Sequence, residues 1–317
     1  MYQLSLGRML NRKFAVATLC VGMLLSATAP ADARTAPGNK DPNTVVSSDG
    51  FIPSVNTESA EARAGASAPS KGSGGQLEGS ALEIADLESY KSMPGDTNET
   101  IFPPDTRVRV NPTTGYPARA TALILFKQGG SNFRCTGWFI SRRTIATAGH
   151  CVHAGKGGSF STDVRVYPGA NGNLAPFGFC RASRLFTVSG WTSSSDTNFD
   201  YGAIQLNCTV GSRTGWYGFR NASNLLRQTT LIQGYPGDKP LTQWRSQDVV
   251  RSQSARKIFY RNDTIGGMSG SPVYNFSSLC GGVSGPCAFA IHTTGGSSLN
   301  GGTRLVTPVF NNLIAWR

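Results

Sequence analysis

The chain has 317 residues and a formal net charge of +12, enough length for one large domain or two modest ones. Its basic residues are scattered and accompany no recognition motif, which excludes sequence-specific nucleic-acid binding as the reason for the charge. Beyond the N-terminus no apolar run is long enough to span a bilayer, which excludes a helical membrane protein.

Arg8, Arg12 and Lys13 form a basic start, followed by a short apolar run from Phe14 to Leu25 and an Ala31-Asp32-Ala33 cleavage pattern. Residues 1–33 are therefore expected to be a signal peptide. The mature protein should be secreted and extracellular, or periplasmic in a two-membrane cell, with no membrane contact once the signal is gone. Of seven cysteines, Cys20 falls in that segment. The remaining six are an even set in an exported chain, which suggests disulfides. No Cys-x-x-Cys pair or His-rich tract points to a metal, and nothing calls for a cofactor.

Residues 34–99 are rich in Ser, Ala, Gly, Pro and Glu, with little material for a core. They are expected to be a propeptide, largely unstructured. Residues 1–99 carry 8 Lys/Arg against 11 Asp/Glu, whereas residues 100–317 carry 22 against 7 Asp. The mature domain is thus strongly basic, suited to a soluble cationic surface or to acidic partners.

From Ile101 short β-type runs recur between Gly, Asn, Pro and Ser clusters. Strands are predicted at Ala120–Phe126, Thr136–Ile140, Val164–Tyr167, Ser183–Thr187, Tyr201–Leu206, Thr230–Gly234, Lys257–Tyr260, Ser271–Tyr274, Ala288–His292 and Leu305–Thr307. Val309–Trp316 reads as a C-terminal helix. The pattern is that of an all-β sandwich or barrel.

Three local motifs carry chemistry: Thr147-Ala148-Gly149-His150-Cys151, Asn198-Phe199-Asp200-Tyr201-Gly202, and Gly266-Gly267-Met268-Ser269-Gly270-Ser271-Pro272. A serine hydroxyl is nearly inert near neutral pH, and a histidine within reach activates it. A buried carboxylate fixes the tautomer of that histidine and stabilises the imidazolium. Glycines beside the serine let its own N–H and that of Gly267 converge on one spot as an oxyanion hole. Each motif alone has a bland reading: a turn, a structural histidine, a strand start. Together, in the order His150, Asp200, Ser269, they point to acyl transfer.

These motifs resemble the chymotrypsin superfamily. The Gly-Ser-Pro ending with Ser271, the Asn111-Pro112-Thr113-Thr114 stretch and Ile291-His292-Thr293-Thr294-Gly295 resemble its glutamyl endopeptidase branch. The likeness covers residues 100–317. It implies a chymotrypsin-like double antiparallel β-barrel with a C-terminal helix, acting on polypeptides and expected to be a monomer. It also implies a disulfide between Cys135 and Cys151. Cys280 and Cys287 are close enough in sequence to close a small loop, which leaves Cys180 with Cys208. Animal relatives carry Asp before the nucleophile to receive the new N-terminus, but here that position is Met268.

Glu occurs at 58, 61, 78, 83, 88 and 99 and nowhere from 100 to 317. Charged residues make up roughly a quarter of a typical chain, so about a dozen Glu are expected there. A protease cutting after Glu escapes self-digestion if its mature domain has none. Glu99 is then the expected processing site, with Thr100 as the new N-terminus. The resemblance places Thr264, His292 and the α-amino group of Thr100 against the substrate carboxylate. Asp263 keeps a second reading open, since it sits where trypsin-like enzymes hold the acid that binds Arg or Lys. A non-enzymatic reading, a cationic pseudo-protease that binds without cutting, is disfavoured by the intact motifs. His153 is expected to be surface or structural.

Overall fold

In a computed structural model of the chain, the described residues are 41–54, 65–76, 82–83, 89–93 and 99–317. The expected signal peptide lies outside them. The domain belongs to one compact unit, Lys40–Arg317.

Six strands form the first barrel: β1 (Thr121–Gln128), β2 (Ser131–Phe139), β3 (Thr144–Thr147), β4 (Thr162–Pro168), β5 (Cys180–Val188) and β6 (Gly202–Leu206). The antiparallel order β5-β6-β3-β2-β1-β4 is closed by pairing of β4 with β5. The period of two along β1 divides its side chains between two cores. Ala122, Ile124 and Phe126 point into the barrel, while Leu123 and Leu125 pack outside with Tyr235 and Leu241.

The second sheet holds β7 (Thr229–Gly234), β8 (Trp244–Val249), β9 (Lys257–Tyr260), β10 (Pro272–Ser277), β11 (Gly285–Thr294) and β12 (Asn300–Arg304). Their order is β9-β12-β11-β10-β7-β8. The outer strands are joined by side chains: Asp263 N–H donates to Ser246 Oγ at 2.8 Å, and Arg261 N–H to Asp248 at 2.6 Å. Helix α1 (Thr307–Ala315) has Pro308 in its first turn, where a missing N–H costs nothing. It docks Val309 and Leu313 into the core between the barrels, beside Trp138, Phe186, Tyr201 and Trp316.

This is the chymotrypsin-like double antiparallel β-barrel with its C-terminal helix. Three bonded cysteine pairs are present: Cys135–Cys151, Cys180–Cys208 and Cys280–Cys287. One strand prediction fails. Leu305–Thr307 is not a strand, because the sheet ends at Arg304 and Thr307 already opens the helix. Leu305 and Val309 are both buried in the inter-barrel core, so the apolar run marks the exit from the sheet. Parts of residues 34–99 lie along the domain. Val45–Ser47 pairs antiparallel with β5, and Lys91–Ser92 pairs parallel with β2 at Phe133 and Arg134. Among the described residues no helix is long and apolar enough to cross a membrane.

Candidate active site

His150 and Asp200 meet because β3 and β6 are neighbours. The register Gly202↔Thr147 sets the turn after β3 against the turn before β6. Asp200 accepts twice from one residue: His150 N–H donates to Oδ1 at 2.9 Å, and Nδ1 lies 2.8 Å from Oδ2. The carboxylate is buried. Burial alone would push its carboxyl up; the charge and hydrogen bonds of His150, with the charge of Lys257, hold it below the usual range. Lys257 Nζ, itself buried, donates to Thr293 Oγ1 at 2.7 Å and Thr303 Oγ1 at 3.2 Å. Thr303 Oγ1 in turn donates to the main-chain oxygen of Asp200 at 3.0 Å.

Ser269 arrives from the second barrel. Its carbonyl accepts from Thr136 N–H at 2.8 Å, next to Cys135, which is bonded to Cys151 beside His150. The turn around the serine needs glycine. Gly270 has φ +86°, and a Cβ there would lie 2.1 Å from Thr136 O. Gly267 also lies at positive φ, +98°. Met268 is fully buried among Val273, Phe289 and Tyr260, so an ion pair at this position is replaced by apolar packing.

Two backbone bonds join this turn to β11: Gly270 N–H donates to His292 O at 2.7 Å, and His292 N–H donates to Ser271 O at 2.9 Å. His292 is fully buried, with Nδ1 2.7 Å from Tyr260 Oη and Nε2 3.2 Å from Glu99 Oε1. Ser269 Oγ donates to the same Glu99 oxygen at 2.9 Å. The Glu99 side chain has no exposed surface. Thr264 Oγ1 and Glu99 Oε2 are both buried and make no hydrogen bond among the described residues. His292 Nε2 and Ser269 Oγ thus meet the same carboxylate oxygen.

Thr100 follows directly. Its N–H donates to Asn300 Oδ1 at 2.9 Å, and its Oγ1 to Gly296 O at 2.9 Å. Asn300 Nδ2 returns a bond to Thr100 O at 2.7 Å. Asp263 does not face the pocket as a cation receptor. Its Oδ1 accepts from Phe102 N–H at 2.7 Å, and its Oδ2 accepts from both Thr106 N–H at 2.8 Å and Thr106 Oγ1 at 2.5 Å. Tyr260, Asn300 and Lys257 were not anticipated from the sequence. Only strand pairing makes them neighbours of the site, and none lies in a recognisable motif. His153 is buried and structural: its Nδ1 accepts from Gly155 N–H at 3.0 Å, and its carbonyl from Trp191 Nε1 at 2.7 Å.

The matching family model is that of trypsin, over residues 108–306. The chain belongs to the trypsin family of serine endopeptidases. It is 43% identical over 224 residues to the glutamyl endopeptidase of Bacillus licheniformis, covering 69% of each chain. It is 36% identical over 304 residues, 94% of each chain, to a Bacillus subtilis protein named extracellular metalloprotease. Among solved structures it is similar to a Glu endopeptidase in complex with MPD, at 28% identity and a TM-score of 0.61, covering 69% of this chain and all of that one. A metal does not fit the residues present here. Cys135, His150 and Cys151 place possible ligand atoms within 4.8 Å of one another, but the two sulfurs are bonded together and offer no thiolates.

The segment after Thr100 is clamped at Arg107, whose guanidinium makes paired bonds to Asp105 (3.0 and 2.8 Å) and Asp238 (2.9 and 2.6 Å). The Arg107 bonds lower the Asp105 carboxyl from 3.8 to about 2. A carboxyl depressed on folding stabilises fully above its unfolded value and loses that contribution as pH falls through the folded one. Asp105→Asn should therefore lower the denaturation midpoint at pH 6, with the gap to wild type shrinking below 3.8 and closing near 2. Chemical denaturation across that range checks this, and a gap unchanged at the acid end would contradict it.

Proposed function

We propose that the protein is a secreted glutamyl endopeptidase, made with a signal peptide (1–33) and a propeptide (34–99). His150 serves as general base, Asp200 orients it, Ser269 is the nucleophile, and the N–H groups of Gly267 and Ser269 hold the oxyanion. Ser269 Oγ attacks the carbonyl carbon as His150 takes its proton. The tetrahedral oxyanion collapses to an acyl-enzyme as His150 returns the proton to the leaving amine. Water then repeats the sequence to release the acid.

The observation that carries the specificity is Glu99. A carboxylate leaves water only where donors replace its hydration. Here one is fully buried against His292 Nε2 and Ser269 Oγ. The absence of Glu from residues 100–317 agrees with a domain that would otherwise cut itself. The trypsin-like alternative loses its receptor, because both oxygens of Asp263 are taken by the 102–106 segment. Matched peptides differing only in the residue before the bond should be cut with a kcat/KM for Glu at least about 100-fold above Arg or Phe. A preference for Arg would overturn the reading.

Maturation at Glu99–Thr100 would free the Thr100 α-amino group beside Asn300 and the pocket. In the intact chain the Glu99 side chain meets Ser269 Oγ, and Thr100 N–H is bonded to Asn300. With the Glu99 carboxylate bonded to Ser269 Oγ, the nucleophile is occupied in the same molecule, and the cut is proposed to come from a second one. Full-length Ser269→Ala should stay intact alone and be cut after Glu99 when active enzyme is added. Wild-type processing whose half-time does not change on dilution would contradict this.

A further inference from the structure

The carboxylate in the pocket is met by one ring nitrogen of His292, and which proton that nitrogen carries decides whether it attracts or repels. Neutral imidazole has one N–H and one lone pair. If the proton sat on Nδ1, the Nε2 lone pair would face the carboxylate oxygen 3.2 Å away. We propose that Tyr260 is the positioning residue that holds the proton of neutral His292 on Nε2, and so makes the pocket receptive to carboxylate; its consequence for cleavage rests on the Glu specificity proposed above.

Tyr260 and His292 are not on adjacent strands. β9 and β11 both flank β12, with Ile258 and His292 each in register with Gly302. The Tyr260 hydroxyl reaches across that strand, over Gly302, to lie 2.7 Å from His292 Nδ1. A Cβ at Gly302 would lie 3.0 Å from the hydroxyl and 2.7 Å from Ile291 O, so a residue without a side chain leaves the path open.

The direction of the bond follows from the proton inventory. Burial, then the Glu99 charge, push the Tyr260 phenol well above its usual range, so it keeps its proton. His292 Nδ1 is the hydrogen-bond partner the structure gives that O–H. When O–H donates to Nδ1, Nε2 must carry the ring proton, 3.2 Å from the carboxylate oxygen. In the opposite tautomer Nδ1–H donates to the phenol oxygen, the phenol proton is left without this acceptor, and a lone pair faces the carboxylate. The ionisable groups in contact with the ring are Tyr260 and Glu99; the strand's next residue, Thr293, is held by Lys257.

Tyr260→Phe removes one oxygen and keeps the ring that packs in the second barrel. The chain has three histidines, so nitrogen-15 spectra of the imidazoles resolve each ring. In full-length Ser269→Ala, which stays unprocessed, His292 should show a protonated Nε2 and a hydrogen-bonded, unprotonated Nδ1, and adding Tyr260→Phe should lose that Nδ1 signature. In matured enzyme the same substitution should raise KM for a Glu peptide about 10- to 100-fold, the scale of a lost buried hydrogen bond, with kcat changed by less than about 3-fold. A proton on Nδ1 in full-length Ser269→Ala, or spectra and KM unmoved by Tyr260→Phe, would overturn the assignment. Loss of Glu preference in wild-type peptide assays, with the Nε2 proton observed, would instead remove the specificity reading and leave the positioning role standing.

Discussion

Two backbone hydrogen bonds between the Ser269 turn and β11 tie chemistry to recognition in this protease. Gly270 N–H binds His292 O, and His292 N–H binds Ser271 O. Ser269 and His292 are thus held by one backbone ladder. The turn is held from the first barrel as well, through Thr136 N–H on Ser269 O. The Cys135–Cys151 bond then joins that strand to the His150 turn. His150, Asp200 and Ser269 therefore come from two barrels but are joined by short covalent and backbone links. Such fixing is what positional catalysis requires.

Around this frame the polar groups are arranged to keep buried charge tolerable. Asp200 is buried, yet it stays ionised because His150 and Lys257 surround it with donors and positive charge. The Glu99 carboxylate is met in a similar way, with Ser269 Oγ donating to it and His292 Nε2 3.2 Å from the same oxygen. The floor of the pocket is the start of the domain itself. Asn300 grips Thr100, Asp263 caps the 102–106 turn, and Arg107 is clamped by two carboxylates. Thr100 and the buried Glu99 carboxylate thus lie next to one another in the chain, between Asn300 and His292.

Much of this was legible in the residues, and the gaps have physical causes. Lys257–Tyr260 reads as a strand and is one, since its apolar run is short and bounded by turn residues. Trp244–Val249 escaped because its Arg, Ser, Gln and Asp belong to a strand near the sheet edge, which needs no apolar alternation. Asn300–Arg304 has no large apolar side chain, and its burial comes from its place between β9 and β11. The His150, Asp200 and Ser269 motifs are local in sequence, so they stand out before any fold is known. Tyr260 and Asn300 act across strands, and Asp263 looked like a cation receptor until its oxygens were seen to hold the N-terminal segment. The missing glutamates were the clearest sequence signal of specificity. The buried Glu99 gives that signal a place to act.

The central claim is that the pocket is built for a carboxylate. It is tested most directly by binding without turnover. Ser269→Ala, processed after Glu99 by added active enzyme, can be titrated calorimetrically with two peptides that differ only in ending in Glu or Gln. The account predicts that the Glu peptide binds at least about 10-fold more tightly, the worth of a charge-assisted bond in a buried site. Equal affinity for the two would contradict it.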